Sequence, residues 1–307
     1  MCHGGDGVER LMASSRAVHT VRDDGEAVAW RIWGTDKALA SESGPILVLL
    51  HGSFGSWMHW IRNIPALVEV GVVVGVDSPG SGDSGLAPQS RMPEAIGREL
   101  AQAWHRLCDQ VPSLGGRCRP VVIAGFSLGA IYAGWMARSL LDSASGDSGP
   151  RIAGLVLAAP GGLGGRPNMA FPLKAIPQGE GDEGVAARVE AHRHNLSVLM
   201  FADSEKIDAL ALRVQDANVS RATFRGPFID QPASLLSALD GLVLPVLGVW
   251  GGRDAFDHDV GCRMTALASV VPHAEMVIVE GAGHWVLYES ADTVNSTIFR
   301  WISKIIP

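Results

Sequence analysis

The chain has 307 residues, of which 47% are hydrophobic and 19% charged, and its formal net charge is −7. This is ample apolar material for a buried core and too little charge for disorder. The acidic balance, with no Lys/Arg run and no basic patch interleaved with aromatics, argues against nucleic acid as a partner.

The opening sixteen residues hold Gly, Asp, Glu and Ser and are expected to form a polar leader, since they lack the basic and apolar regions of a signal peptide. No apolar run approaches the length of a membrane span, so a cytoplasmic protein with no membrane partner is expected. Cys2, Cys108, Cys118 and Cys262 have no C-x-x-C spacing and signal neither a zinc site nor a disulfide framework. Residues 17–22 and 27–33 alternate apolar and polar positions around Asp23-Asp24-Gly25, the pattern of an antiparallel hairpin at a sheet edge. Residues 46–50, 72–76, 121–124, 152–158, 246–250 and 275–279 are short runs rich in Val, Ile and Leu, as in strands buried on both faces. Helical patterns lie between most of them, at 93–110, 128–141, 259–270 and 291–305.

Alternating strands and helices predict an α/β fold with a doubly wound, mostly parallel sheet of eight strands. The alternation stops between Pro160 and about Pro245, where 186–200 and 204–217 carry helical periodicity without strands between them. The expected organisation is a core over 17–160 and 240–307 with a helical cap inserted at 161–239. Residues 143–149 have the composition of a surface loop.

The strongest chemical signal is Gly125-Phe126-Ser127-Leu128-Gly129, which follows one strand and opens a helix. A serine on so sharp a turn takes a strained backbone, and glycines two residues to either side let neighbouring chain pass without a Cβ clash. The helix N-terminus behind the serine favours developing negative charge.

From here the chain resembles the α/β-hydrolase family over nearly its whole length outside the leader and the cap. His51-Gly52-Ser53-Phe54-Gly55 is similar to the family's HG loop, and the segment from Asp77 to Ser84 to its D-x-P-G-x-G-x-S turn. Trp250-Gly251-Gly252-Arg253-Asp254 and Gly281-Ala282-Gly283-His284-Trp285 stand where the family carries its acid and its histidine. The resemblance implies Ser127 as nucleophile, His284 as general base and Asp254 as the residue that orients the imidazole. It implies an oxyanion hole from the backbone N–H groups of Leu128 and of Ser53 or Phe54, with no metal or organic cofactor.

Among rivals for these roles, Asp257 and Asp259 suit the start of the following helix, and His258 and His273 suit exposed helix ends. His51 is expected to hold its loop by hydrogen bonding, and His192 and His194 to be solvated cap positions. Phe54, His59, Phe126 and Trp285 are the candidates for a substrate pocket, although each aromatic is equally suited to core packing.

Hydrolysis of a carboxylic ester of a small apolar or aromatic substrate is the leading expectation. The meta-cleavage product hydrolases, which break carbon–carbon bonds, are the chief rival, although Arg213 and Arg221 give no clear match to their cap arginine. A non-catalytic binding module on the same fold is the alternative of a different class. Oligomeric state, monomer or homodimer, is left open.

Overall fold

Residues 5–41, 44–85, 90–115, 119–143, 150–165, 170–223, 232–257 and 259–306 are described by a computed structural model. A helix that the sequence pattern does not announce, α1 (Gly5–Ala13), occupies the leader. Val8 is buried and the Trp33 indole N–H donates to Leu11 O at 2.7 Å, so this segment is fastened to the body. Next come β1 (Arg16–Val21), β2 (Ala27–Trp33), α2 (Asp36–Ala40), β3 (Ile46–Leu50), α3 (Ile64–Leu67), β4 (Val72–Asp77) and α4 (Pro93–Gln110). β5 (Pro120–Phe126), α5 (Leu128–Asp142) and β6 (Arg151–Ala158) lead into the long insertion. It carries α6 (Gly181–Leu199), α7 (Ala209–Arg221) and α8 (Ser234–Leu239) before β7 (Val246–Gly251) resumes the sheet. α9 (Val260–Val270), β8 (Glu275–Val279), α10 (Val286–Glu289) and α11 (Ala291–Ile305) complete the order.

The eight strands form one sheet in the order β1-β2-β4-β3-β5-β6-β7-β8. β2 runs antiparallel to both β1 and β4, and every other pair is parallel. Two-residue alternation sorts the side chains to two faces. Ile46, Val48 and Leu50 share one apolar core with Leu100 of α4, Tyr132 of α5 and Leu267 of α9. Leu47 and Leu49 belong to the other core with Leu67 of α3, Ile298 of α11 and Leu196 of α6. Both faces of the central strands are therefore covered, which is why those strands read as continuous apolar runs.

Three expectations change here. β8 is not buried on both faces: Glu275 and Ile278 are exposed, because an edge strand has a neighbour on one side only. The helix expected at 204–217 starts at Ala209. Asp203 caps a short 3-10 turn by accepting from Glu205 N, and Asp208 then caps α7 by accepting from Ala211 N at 2.8 Å. The insertion also returns to the core before residue 240. Leu235 of α8 is wholly buried, and Trp135 of α5 donates through its indole N–H to Ser234 Oγ at 2.9 Å. The loop expected at 143–149 falls outside the described residues from 144 onward, as do Cys2, Cys118 and His258.

Candidate active site

Ser127 stands between β5 and α5 with φ 53° and ψ −114°, a conformation strained for any residue with a side chain. The two flanking glycines make the turn possible. A Cβ on Gly125 would lie 2.3 Å from Gly129 O, and one on Gly129 would lie 2.4 Å from His51 O. The turn is tied to its neighbours by Ser127 N donating to Ala158 O at 2.9 Å and by Gly161 N donating to Ser127 O at 3.3 Å. The serine is partly exposed at the carboxyl end of the sheet, as an elbow of this kind must be to meet a substrate.

Two further loops reach the same edge. Asp254 follows β7 and is 5% exposed; its Oδ1 accepts from Phe256 N at 2.9 Å. Its Oδ2 lies 2.7 Å from His284 Nδ1, and His284 Nε2 lies 3.0 Å from Ser127 Oγ. The loops that carry acid and base pack backbone to backbone, since a Cβ on Gly251 would meet Gly283 O at 2.1 Å. The residues proposed from sequence as nucleophile, base and acid are therefore one hydrogen-bonded chain.

The loop after β3 packs on the elbow, and a Cβ on Gly52 would fall 3.2 Å from Ser127 Cβ. Phe54 has φ 52°, the left-handed region, and among the described residues the N–H groups of Ser53, Phe54 and Leu128 have no backbone acceptor. Leu128 N opens α5, where the first N–H groups of a helix have no intrahelical partner.

His51 has the structural role expected of it. Its Nδ1 lies 2.7 Å from Gly52 O, and its Nε2 accepts from Ser78 N at 2.9 Å. Burial pushes its pKa down to about 4, so it is neutral near pH 7. Asp77, next to Ser78, is buried while accepting from Trp57 N and Asp83 N, and burial raises its carboxyl to about 6.

Of the four pocket candidates, the structure brings only Phe54 to the surface, at 43% exposure. His59, Phe126 and Trp285 are buried against one another under the loop, with ring centroids 5.3 Å apart for the His59–Phe126 and His59–Trp285 pairs. Burial also lowers the His59 pKa well below its usual value. They shape the floor rather than line an opening. His192 is not solvated but 2% exposed, with Nε2 3.1 Å from Asp216 Oδ1, while His194 reaches Pro172 O at 2.7 Å. Asp257 pairs with Arg263 at 2.5 Å, Asp259 caps α9, and His273 is exposed.

Glu289 is absent from the sequence-derived set. It is 6% exposed, and its carboxylate accepts from Gly283 N at 2.7 Å, Asp203 N at 2.9 Å and Ala202 N at 3.0 Å. It thus ties the histidine loop to the segment joining α6 and α7. A carboxylate directly after the apolar run Trp285-Val286-Leu287-Tyr288 was the available signal, because such a group is buried only when its oxygens find donors.

A Ser–His–Asp chain on the carboxyl edge of a doubly wound sheet, with free backbone donors beside the serine, defines a hydrolase-type site. The family model described as the alpha/beta hydrolase family matches residues 47–297, and the chain belongs to that family. It is an enzyme of hydrolase type.

One similar protein is the dihydrolipoyllysine-residue acetyltransferase component of the acetoin cleaving system of Pseudomonas putida, 29% identical over 87% of this chain; the chain spans 65% of that protein's length. Another is the 2-hydroxy-6-oxononadienedioate/2-hydroxy-6-oxononatrienedioate hydrolase of a Pseudomonas species, 26% identical over 86% of this chain and 90% of the relative. Among solved structures, carboxylesterase CesB from Bacillus subtilis superposes with a TM-score of 0.69 at 19% identity, covering 97% of this chain and 95% of that one. Esterase RhEst1 from Rhodococcus sp. ECU1013 gives 0.67 at 20% identity, covering 95% and 99%. At these identities the superpositions speak for the fold.

Proposed function

We propose that the protein is a serine esterase that cleaves a carboxylic ester of a small substrate through an acyl-enzyme. The observation that carries this reading is the continuous chain from Ser127 Oγ through His284 to Asp254, at 3.0 and 2.7 Å. His284 Nε2 takes the Ser127 proton as Oγ attacks the ester carbonyl, and Asp254 holds the imidazole and stabilises its charged form. The oxyanion is received by Leu128 N and by Ser53 N or Phe54 N. As the tetrahedral intermediate collapses, the C–O bond breaks and the alcohol leaves with the proton from His284. Water, deprotonated by His284, then attacks the acyl carbonyl, releasing the acid and restoring Ser127. No step calls on a metal or organic cofactor.

In this reading α6 and α7 act as a cap over the site, and the cytoplasm is the proposed location. Among the described residues no helix is long and apolar enough to cross a membrane.

Carbon–carbon bond hydrolysis is the second reading, favoured by the similarity to the 2-hydroxy-6-oxononadienedioate hydrolases. A dioate substrate calls for a cation, and the two cap arginines singled out from sequence are engaged elsewhere. Arg213 pairs with Glu9, and Arg221 pairs with Asp83 at 2.7 Å. This supports the ester reading.

Exposure to a fluorophosphonate followed by peptide mapping, beside a panel of p-nitrophenyl acyl esters, tests the proposal. A single adduct on Ser127 with ester turnover is the expected result. An adduct without ester turnover would favour carbon–carbon cleavage, and the absence of any adduct would favour a non-catalytic module.

A further inference from the structure

A small cleft opens beside the elbow, between the loop after β3 and the turn after β4. Its walls include Gly52, Phe54, Ser78, Pro79, Leu128 and Tyr132. Three of these walls adjoin the proposed chemistry. Gly52 packs on Ser127 Cβ, and Leu128 and Phe54 carry oxyanion donors.

Ser78 is 3% exposed, and its Oγ has no hydrogen-bond partner. Its backbone N–H is taken by His51, so the hydroxyl is the group left over. Tyr132 lies on α5 five residues beyond the nucleophile and is 2% exposed, with no hydrogen bond described for its phenol. Burial alone drives that phenol's pKa far above its usual value, so it stays protonated and able to donate. Leaving a buried hydroxyl unpaired costs stability, so the unpaired Ser78 Oγ, on one cleft with a Tyr132 phenol that has no described partner, is an arrangement a ligand would satisfy.

No wall of the cleft supplies a charge, because His51 is held neutral and both its nitrogens are occupied. The free volume is about 10 Å³. That is room for one oxygen-sized group.

We infer that Ser78 Oγ and Tyr132 Oη form a polar subsite that holds an uncharged oxygen of the substrate, a hydroxyl or keto group, and discriminates against a carboxylate. This rests on the site at Ser127 being the substrate site, and it narrows the substrate class from plain alkyl esters to oxygenated, uncharged ones. Each hydroxyl can both donate and accept, so either an alcohol or a ketone oxygen can complete the pair.

The test separates the subsite from the esterase reading by measuring binding without turnover. Ethyl butyrate, methyl 3-hydroxybutyrate, 2-hydroxyethyl butyrate and monomethyl succinate are each titrated into the Ser127→Ala protein by saturation-transfer NMR. The same titrations are made with the Ser127→Ala protein also carrying Ser78→Ala and Tyr132→Phe. Two neutral hydrogen bonds predict that at least one hydroxylated ester binds the first protein about tenfold more tightly than ethyl butyrate, with monomethyl succinate the weakest. That preference should vanish in the second protein, with circular dichroism confirming that both are folded. Equal affinities in the first protein, or a preference that survives loss of both hydroxyls, would overturn the subsite. Turnover of p-nitrophenyl butyrate by the unmodified enzyme reports separately on the esterase reading.

Discussion

Replacing Glu289 by Ala removes one side chain and strands three backbone donors at once. Gly283 N is fully buried and Ala202 N and Asp203 N are partly so, and each loses a bond of 2.7–3.0 Å to a carboxylate. A buried donor left unsatisfied costs about 1–3 kcal/mol, and allowing for water reaching the two half-buried ones gives a total of about 3–5 kcal/mol. Against a typical domain stability of about 5–15 kcal/mol this is a large fraction, yet it leaves a foldable protein. Urea denaturation should show the midpoint fall with the slope unchanged.

Activity should fall further than stability alone accounts for, because Gly283 immediately precedes His284 and Trp285 N donates to Met200 O in the same joint. Glu289→Gln keeps one acceptor and turns an amide N–H toward a donor, so it should fall between Ala and the parent in both readouts. A loss below about 1 kcal/mol for Glu289→Ala would show that the carboxylate is not what holds the joint, and would refute the reasoning.

Ser127→Ala and His284→Ala should each lower kcat by about 10⁴-fold with the fold intact, because the three groups act as a unit. Near-parent activity in either would overturn the assignment. Asp254→Asn should lose about 10³-fold or more by the same measurement, since Asp257 is committed to Arg263 and cannot stand in. Gly129→Ala drives a methyl against His51 O and Leu50 O, both backbone, and should cost at least about 3 kcal/mol in urea denaturation. His51 and Asp77 oppose each other in acid. The folded pKa of His51 lies near 4 against an ordinary 6.5, so its contribution is complete above pH 6.5 and is lost as pH falls toward 4. That of Asp77 lies near 6 against 3.8, so its contribution grows as pH falls through the same range. The two effects oppose each other over this range, so Asp77→Asn should expose a steeper acid loss than the parent shows. Matching pH profiles for parent and variant would remove the basis for this offset.

The elements whose local chemistry is self-contained were legible in the sequence. Gly125 and Gly129 announced the elbow because only a residue without a Cβ tolerates backbone oxygens at under 3 Å, and the doubly buried strands announced themselves as unbroken Val, Ile and Leu runs. Asp254 and His284 were legible through the resemblance to the α/β-hydrolase family, which carries acid and base on loops at the sheet edge of the elbow.

What depends on partners distant in sequence was not legible. Periodicity did not distinguish the exposed edge strand β8 from a central one, because burial is set by which strand lies alongside. The leader helix, fastened to Trp33, and the burial of His192, between α6 and α7, are products of tertiary packing, and composition carries no record of that. His59, Phe126 and Trp285 had the chemistry of pocket walls, and only their mutual packing made them a floor. Glu289 drew no notice as a letter in the chain, and Ser78 only as part of the turn from Asp77 to Ser84. Sequence determined which residues could act, since reactivity resides in residue type and local backbone. Tertiary structure alone decided which donors meet Glu289 and which hydroxyls are left unpaired, because a hydrogen bond between residues 87 positions apart exists only once the chain has folded.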